Sequence, residues 1–347
     1  MKAMQLTALK EMKLEEVPDP VIENDTDVLL RVGTVGVCGS DVHYYLTGRI
    51  GSQVVDFPFR VGHEFAGVVE EVGRAVTRLK PGDRVAVEPA MSCGECDQCL
   101  AGRRHTCRKL TFLGCPGQAN GCLCEYITMP EECCYPVKPD TSLEQAAVAE
   151  PLSIGVYGVQ TSIPLQGKRV AILGCGPIGL SVLLPALAEG VEQVYVTDKI
   201  DERLEVAGAA GASWTGNPDK SDILQEIAGR EPLLLDAVYE CCGEQEAIDQ
   251  AVELLKPGGK LMLIGIPTVD RISFIIDRMR RKEICVQNVR RQNECMQPAI
   301  DLIESGRVNV DFMITHHFSL EETREAFDLV ADYRDGVVKA MIDISKG

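Results

Sequence analysis

The sequence predicts an α/β protein in two parts, a β-rich first half and a doubly wound parallel sheet in the second. Three observations predict it. From about Gly167 apolar strands alternate with helical stretches, a glycine-rich G-x-G-x-x-G follows the first of those strands, and the preceding half carries short β-rich runs broken by Gly and Pro turns around a tight cluster of cysteines. With 347 residues, 45% of them hydrophobic, the chain is long enough for about two domains with sizeable cores.

In the first half, Val28–Val37, Gly67–Val72 and Arg84–Val87 read as strands, because β-branched residues dominate and turn residues such as Pro81-Gly82-Asp83 separate them. In the second, Arg169–Leu173 and Gln193–Thr197 are short apolar strands, each followed by a helical stretch, Gly179–Ala188 and Glu202–Ala210. Such alternation is the signature of βαβ units. Leu234–Tyr239, Glu246–Leu255 and Lys260–Ile264 continue it, with Pro257-Gly258-Gly259 as the helix-to-strand turn. From about Arg290 the pattern is mixed and ends in a short strand, Lys339–Ile344.

Charge and composition narrow the partners. With 35 basic and 52 acidic residues the formal charge is -17, which repels phosphate backbones and anionic lipid surfaces, so neither nucleic acid nor a membrane is an expected partner. The longest apolar stretch, near Val170 to Ala188, is interrupted by Gly174, Gly176, Pro177, Gly179 and Pro185, and no run reaches the roughly 20 residues of a membrane span. The opening MKAMQLTALKEMKLEEVPDP has acidic residues and Pro18 where a secretory signal needs an apolar core, and the cysteine count, 15, is odd. A cytoplasmic, reducing location is expected.

Cys93, Cys96, Cys99 and Cys107 follow the spacing C-x2-C-x2-C-x7-C. Four thiolates so close can converge on one tetrahedral Zn²⁺, and the small and polar residues between them offer no core to hold the segment otherwise. All four ligand positions are then filled by protein, which defines a structural metal. Disulfides or a redox motif are the competing readings, and a reducing compartment disfavours the former. Cys115, Cys122, Cys124, Cys133, Cys134, Cys241 and Cys242 lack ligand spacing with histidine and read as buried small thiols.

Gly174-Cys175-Gly176-Pro177-Ile178-Gly179 lies directly after the strand and directly before a helix. Glycines there permit a tight turn and close backbone approach, and the helix N-terminus offers N–H groups to a pyrophosphate. Asp198 closes the next strand, where a carboxylate accepts hydrogen bonds from ribose hydroxyls and repels a 2′-phosphate, favouring NAD over NADP. Lys199 and Arg203 leave room for NADP.

A metal site with an open position must be assembled from residues far apart in sequence: Cys38, His63, Glu64 and Glu150. One thiolate, one imidazole and one carboxylate satisfy zinc and leave a place for substrate. Taken singly, each also fits a blander part: a buried thiol, a core histidine, a solvated acid.

The order Gly-Val-Cys38-Gly-Ser40-Asp-Val-His43, then Gly-His63-Glu64, the four-cysteine lobe, Glu150-Pro-Leu-Ser and the glycine-rich strand-turn-helix resembles the zinc-dependent medium-chain dehydrogenases over essentially the whole chain. Tyr44, Gly48-Arg49-Ile50-Gly51, the Glu150 motif and Thr197-Asp198 resemble the polyol (sorbitol and xylitol) dehydrogenase branch in particular. The resemblance implies a GroES-like catalytic domain of residues 1–153 with a return segment 291–347, around a Rossmann NAD-binding domain of residues 154–290. It implies two zinc ions per subunit, one catalytic and one structural. Cys38, His63 and Glu64 match ligands of the catalytic zinc, and Glu150 stands where other alcohol dehydrogenases have a ligating cysteine. Direct ligation is left between Glu64 and Glu150.

The implied activity is oxidation of a secondary hydroxyl of a polyol to a ketone, with hydride transfer to NAD⁺; zinc supplies the Lewis acid that makes the hydroxyl acidic near neutral pH. Ser40 and His43 match residues that pass its proton outward, Gly174, Gly176, Pro177, Ile178, Gly179, Asp198 and Arg203 would hold the dinucleotide, and Tyr44, Phe112 and Arg290 would line the substrate pocket. Where the polyol branch carries an aromatic residue beside Arg290, this chain has Arg291. Paired arginines suit a phosphorylated polyol or a sugar acid, unless one is a surface charge. Threonine, a cyclitol and a silent zinc- and nucleotide-binding protein complete the alternatives. Relatives of this kind imply a homo-oligomer, dimer or tetramer.

Overall fold

A computed structural model describes residues 1–344. The chain divides into two compact units: Met1–Glu150, Ala299–Glu304 and the described residues from Met313 onwards form the first, and Pro151–Pro298 with Ser305–Phe312 the second. The α/β class and its two architectures are those the sequence predicts.

The first unit is built on a sheet of seven strands among the described residues. Its centre is Asp27–Gly36, which pairs antiparallel with Glu64–Val72 and Lys339–Asp343. Asp27–Gly36 is buried almost throughout because both its faces are covered, and Val28, Leu30, Val32 and Val35 belong to one apolar core with Phe65, Val69, Val85 and Ile342. Ile314–Ser319 extends the sheet beyond Lys339–Asp343 in the parallel sense. The terminal strand therefore lies beside one formed some three hundred residues earlier, a pairing no local pattern announces.

The second unit carries six parallel strands in the spatial order Trp214–Gly216, Gln193–Thr197, Arg169–Leu173, Leu235–Glu240, Leu255–Leu263, Cys285–Asn288. Numbered along the chain this is 3-2-1-4-5-6, the doubly wound order of dinucleotide-binding folds, whose crevice lies where the order reverses, at Arg169–Leu173. Pro257-Gly258-Gly259 differs from expectation. Leu235 pairs with Leu255 and Ala237 with Lys260, so the residues from Lys256 to Gly259 bulge out opposite Asp236, inside the strand and not ahead of it. Gly258 takes φ 76° there, and the Lys256 ammonium bonds the Asp236 carboxylate.

Candidate functional site

The first unit gathers its site where Asp27–Gly36 runs out. Two residues later Cys38 is the N-cap of the helix Gly39–Thr47, which Gly48 closes at φ 71° with its N–H on the Tyr44 carbonyl. Glu64 begins the neighbouring strand directly opposite Gly36, and His63 precedes it. Gly36 is needed there for space, since a Cβ would stand 2.5 Å from Glu64 Oε2. Ligand atoms of Cys38, His63 and Glu64 thereby lie within 4.8 Å of one another, His63 and Glu64 buried and Cys38 half-buried.

Two residues not foreseen from the sequence orient this cluster. Asp41, on the first turn of the same helix and fully buried, accepts from the Gly62 N–H at 3.3 Å, and its other oxygen lies 3.4 Å from His63 Nδ1. A carboxylate behind a ligating imidazole fixes ring and tautomer and makes the other nitrogen a better donor to metal. Burial opposes a proton on His63, but Asp41 and Cys38 override it and raise its pKa well above the ordinary value. The second is Lys339. Its ammonium, 1% exposed, bonds Glu64 Oε2 and donates to the Val37 carbonyl at 3.2 Å. Burial pulls its pKa down, and Glu64, Cys38 and Glu150 outweigh that and hold it raised, so the lysine is a buried cation among three acidic groups.

The other predicted residues fall as follows. Glu150 is buried in the helix Leu143–Gln160, its charge felt at Lys339. Ser40 Oγ donates to Cys38 Sγ at 3.3 Å, and His43 is half-buried three residues along the helix, with burial lowering its pKa. Phe112 tilts against the His63 ring, centroids 5.2 Å apart. Tyr44 is buried, its hydroxyl donating to Gln53 Oε1 at 3.2 Å, and Gln53 Nε2 also reaches Cys115 Sγ at 2.7 Å. Arg290 belongs to the second unit, exposed just past Cys285–Asn288, and Arg291 beside it is half-buried with φ 55°.

The cysteine lobe has the spacing of a tetrahedral zinc site. Its Sγ atoms are 3.5 Å (Cys93, Cys107), 3.6 Å (Cys96, Cys99), 3.9 Å (Cys96, Cys107) and 4.0 Å (Cys93, Cys99) apart. Four ligands at Zn–S of 2.3 Å in a tetrahedron stand about 3.8 Å apart, whereas a disulfide needs about 2.0 Å. N–H groups of Cys93 and Lys109 point at Cys107 Sγ, both at 3.3 Å. Hydrogen bonds from the Arg108 and Cys99 backbone pull the Cys96 thiol down to about 6. Of the remaining thiols, Cys115, Cys122, Cys124, Cys133 and Cys134 are buried as expected; Cys241 is only half-buried and Cys242 is exposed, because they leave the sheet at the end of Leu235–Glu240.

In the second unit, Gly174 takes φ 95° and Gly179 packs so tightly that a Cβ would lie 1.9 Å from the Gly174 carbonyl oxygen, so both positions require glycine. Pro177 opens the helix Pro177–Ala188 behind an N-cap, Gly176, that has no side chain, leaving its first N–H groups to a ligand. Asp198 accepts from the Cys175 N–H at 2.6 Å and the Ile200 N–H at 2.9 Å, which locks the loop to the strand end. Arg203 is buried below that loop, its guanidinium beside Gly176. Lys199 pairs with Asp219 at 3.5 Å and Glu246 at 4.0 Å.

A GroES-like sheet with a thiolate-imidazole-carboxylate cluster, a four-sulfur lobe and a Rossmann sheet together define a zinc-binding dehydrogenase. Residues 24–139 match the alcohol dehydrogenase GroES-like domain and residues 177–305 the zinc-binding dehydrogenase domain. A sorbitol dehydrogenase of Bacillus subtilis is 35% identical over 343 residues, covering 99% of this chain and 97% of its own. Among solved structures, a zinc-binding dehydrogenase from Sinorhizobium meliloti bound to NADP superposes with TM-score 0.90 at 30% identity, covering 99% of both chains. Galactitol-1-phosphate dehydrogenase from Escherichia coli gives 0.89 at 26%, covering 99% of this chain and 100% of its own. The chain belongs to the zinc-dependent medium-chain dehydrogenase superfamily and, within it, to the polyol dehydrogenase branch.

Two outcomes follow from the geometry behind the ligands. Asp41→Asn should weaken zinc binding by about 10- to 100-fold, read by competition with a chromogenic chelator; unchanged affinity would remove Asp41 from the site. In the zinc-free protein Lys339→Met leaves the Glu64 carboxylate buried without a counter-charge and should cost about 3–5 kcal/mol in denaturant unfolding, with Glu64→Gln in the same chain recovering much of it.

Proposed function

We propose that this enzyme oxidises a secondary hydroxyl of a free polyol to the ketone, with NAD⁺ as hydride acceptor. The observation that carries the reading is the donor set Cys38, His63 and Glu64, with Lys339 behind the carboxylate, in a chain of the polyol branch. Those three residues would hold the catalytic zinc, with the Glu150 charge acting on the same Lys339, and the four lobe cysteines the structural one. Zinc, when bound, supplies a Lewis acid that brings a substrate hydroxyl's pKa towards neutrality.

The chain's own residues do the rest. Ser40, whose hydroxyl is hydrogen-bonded at Cys38, would take the substrate's proton, and His43, one helical turn on, would receive it. Phe112 packs on His63 and gives the site an apolar wall, while Tyr44 and Gln53 tie the helix Gly39–Thr47 to the segment around Cys115. Gly174, Gly176, Pro177, Ile178 and Gly179 receive the pyrophosphate, and Asp198, fixed by two backbone N–H groups, turns its remaining lone pairs to the ribose. NAD⁺ is favoured over NADP⁺ because that carboxylate repels a 2′-phosphate and Lys199 is already engaged by two carboxylates. A reducing compartment, the cytoplasm, keeps the five ligand thiols available for metal, and a homo-oligomer is the proposed assembly.

A second reading rests on Arg290 and Arg291. Two arginines neighbouring in sequence suit a phosphorylated polyol, the substrate named for the galactitol-1-phosphate relative.

NADH formation from NAD⁺ with sorbitol, xylitol, galactitol, galactitol phosphate, a cyclitol and threonine, before and after chelation, separates these readings. Turnover of free polyols that chelation abolishes and zinc restores is expected; preference for the phosphate ester would transfer the assignment to the second reading, and threonine would overturn both. Because burial lowers the His43 pKa, its imidazole is neutral and able to accept a proton near neutral pH, and kcat/KM should decline towards acid pH as it becomes protonated. His43→Gln should lower kcat roughly 10²-fold and change the shape of that limb, leaving the part set by ionisation of the substrate hydroxyl; an unaltered rate and pH profile would exclude His43 from the proton path.

A further inference from the structure

Away from Cys38, His63 and Glu64, a second set of metal-ligating side chains converges in the first unit. One ligand atom each of Glu144, His317 and Asp343 lies within 4.8 Å of the others. Three separate elements deliver them. Glu144 stands in the first turn of the helix Leu143–Gln160, His317 on the strand Ile314–Ser319 and Asp343 at the end of Lys339–Asp343. His317 is opposite Met341 in the parallel ladder, and Asp343, two residues on, is returned to the same face by the strand's two-residue repeat. His317 Nδ1 lies 3.3 Å from Glu144 Oε1, and these side chains are 48% and 33% exposed, so the cluster keeps an open side towards water.

An independent observation concerns the residue paired with Asp343. Thr34, on the other neighbour of Lys339–Asp343, is directly opposite Asp343 in the antiparallel ladder. Its side chain is 2% exposed, and its hydroxyl has no hydrogen-bond partner among the described residues. A buried hydroxyl left unpaired costs about 1–3 kcal/mol, which a ligand or a metal-held water beside it offsets.

We propose that Glu144, His317 and Asp343 form a further site for a divalent transition metal, distinct from the thiolate sites. One imidazole and two carboxylates suit Zn²⁺ or its neighbours and not Ca²⁺ or Mg²⁺, which take oxygen ligands throughout. With no thiolate and with half-open side chains it is the weakest of the three. Its placement gives it a consequence. Glu144 is six residues, about 9 Å, before Glu150 on one helix, and Asp343 four residues, about 13 Å, past Lys339 on one strand. A metal bridging helix start and strand end therefore holds together the two elements that carry Glu150 and Lys339 to the catalytic cluster. The site stands on its own geometry, whichever alcohol the enzyme oxidises.

The test is calorimetric titration of Zn²⁺ into the full-length protein after its tight sites have been loaded and excess metal dialysed away. One further zinc per chain is expected to bind, and Glu144→Gln, His317→Gln and Asp343→Asn each to weaken it by about tenfold or more, with the tightly held zinc content and the circular-dichroism melting curve unchanged. No further binding up to about 1 mM zinc, or a further zinc that all three variants bind as the parent does, would overturn the proposal and leave the cluster an imidazole–carboxylate ion pair.

Discussion

The structure depends on one strand alignment. Asp27–Gly36 is held between Glu64–Val72 and Lys339–Asp343, and this antiparallel arrangement sets Gly36 opposite both Glu64 and Met341. From it the site follows in order. A glycine opposite Glu64 leaves space for the carboxylate, the chain turns into a helix whose cap is Cys38, and Lys339 arrives from the far end of the sequence to neutralise Glu64. A slip of one residue would send each of these side chains to the opposite face of the sheet.

The buried Lys339–Glu64 pair shows how the protein holds a charged carboxylate away from water. Two ions removed from water are expensive, and their mutual attraction compensates only when geometry and further hydrogen bonds are good. Here the Val37 carbonyl takes another of the ammonium's protons, and Cys38 and Glu150 add negative charge around it. Asp41 acts in the same way behind His63. Glu64 and His63 thus each have a charged partner, Lys339 and Asp41, which limits their motion. In the second unit the equivalent economy is backbone geometry: Gly174 and Gly179 bring loop and helix together, and Asp198 fastens the loop by two N–H groups.

What was legible in the sequence was whatever is local. The cysteine quartet, the glycine-rich turn and the period of the parallel strands each sit within a few residues, so spacing alone reveals their geometry. The Cys38, His63 and Glu64 cluster was reachable by resemblance to a family, since nothing in its separate segments says that they meet. Lys339 and Asp41 were missed because their partners are remote. A signal existed for each. Lys339 is a lone cation in the apolar run Val337-Val338-Lys339-Ala340-Met341-Ile342, and such a charge demands a buried counter-ion. Asp41 lies three residues after Cys38, one helical turn away and therefore on the same side. Pro257-Gly258-Gly259 resembles a turn between elements because Pro and Gly break strands locally, whereas pairing across the bulge keeps the strand intact.

The most direct measurement is an anomalous-scattering map collected at the zinc edge from crystals of the protein grown without added metal. Two peaks per chain are predicted, one enclosed by the sulfurs of Cys93, Cys96, Cys99 and Cys107 and one bounded by Cys38, His63 and Glu64. A peak in the four-sulfur lobe with none at Cys38, His63 and Glu64, in protein that is active, would contradict the account.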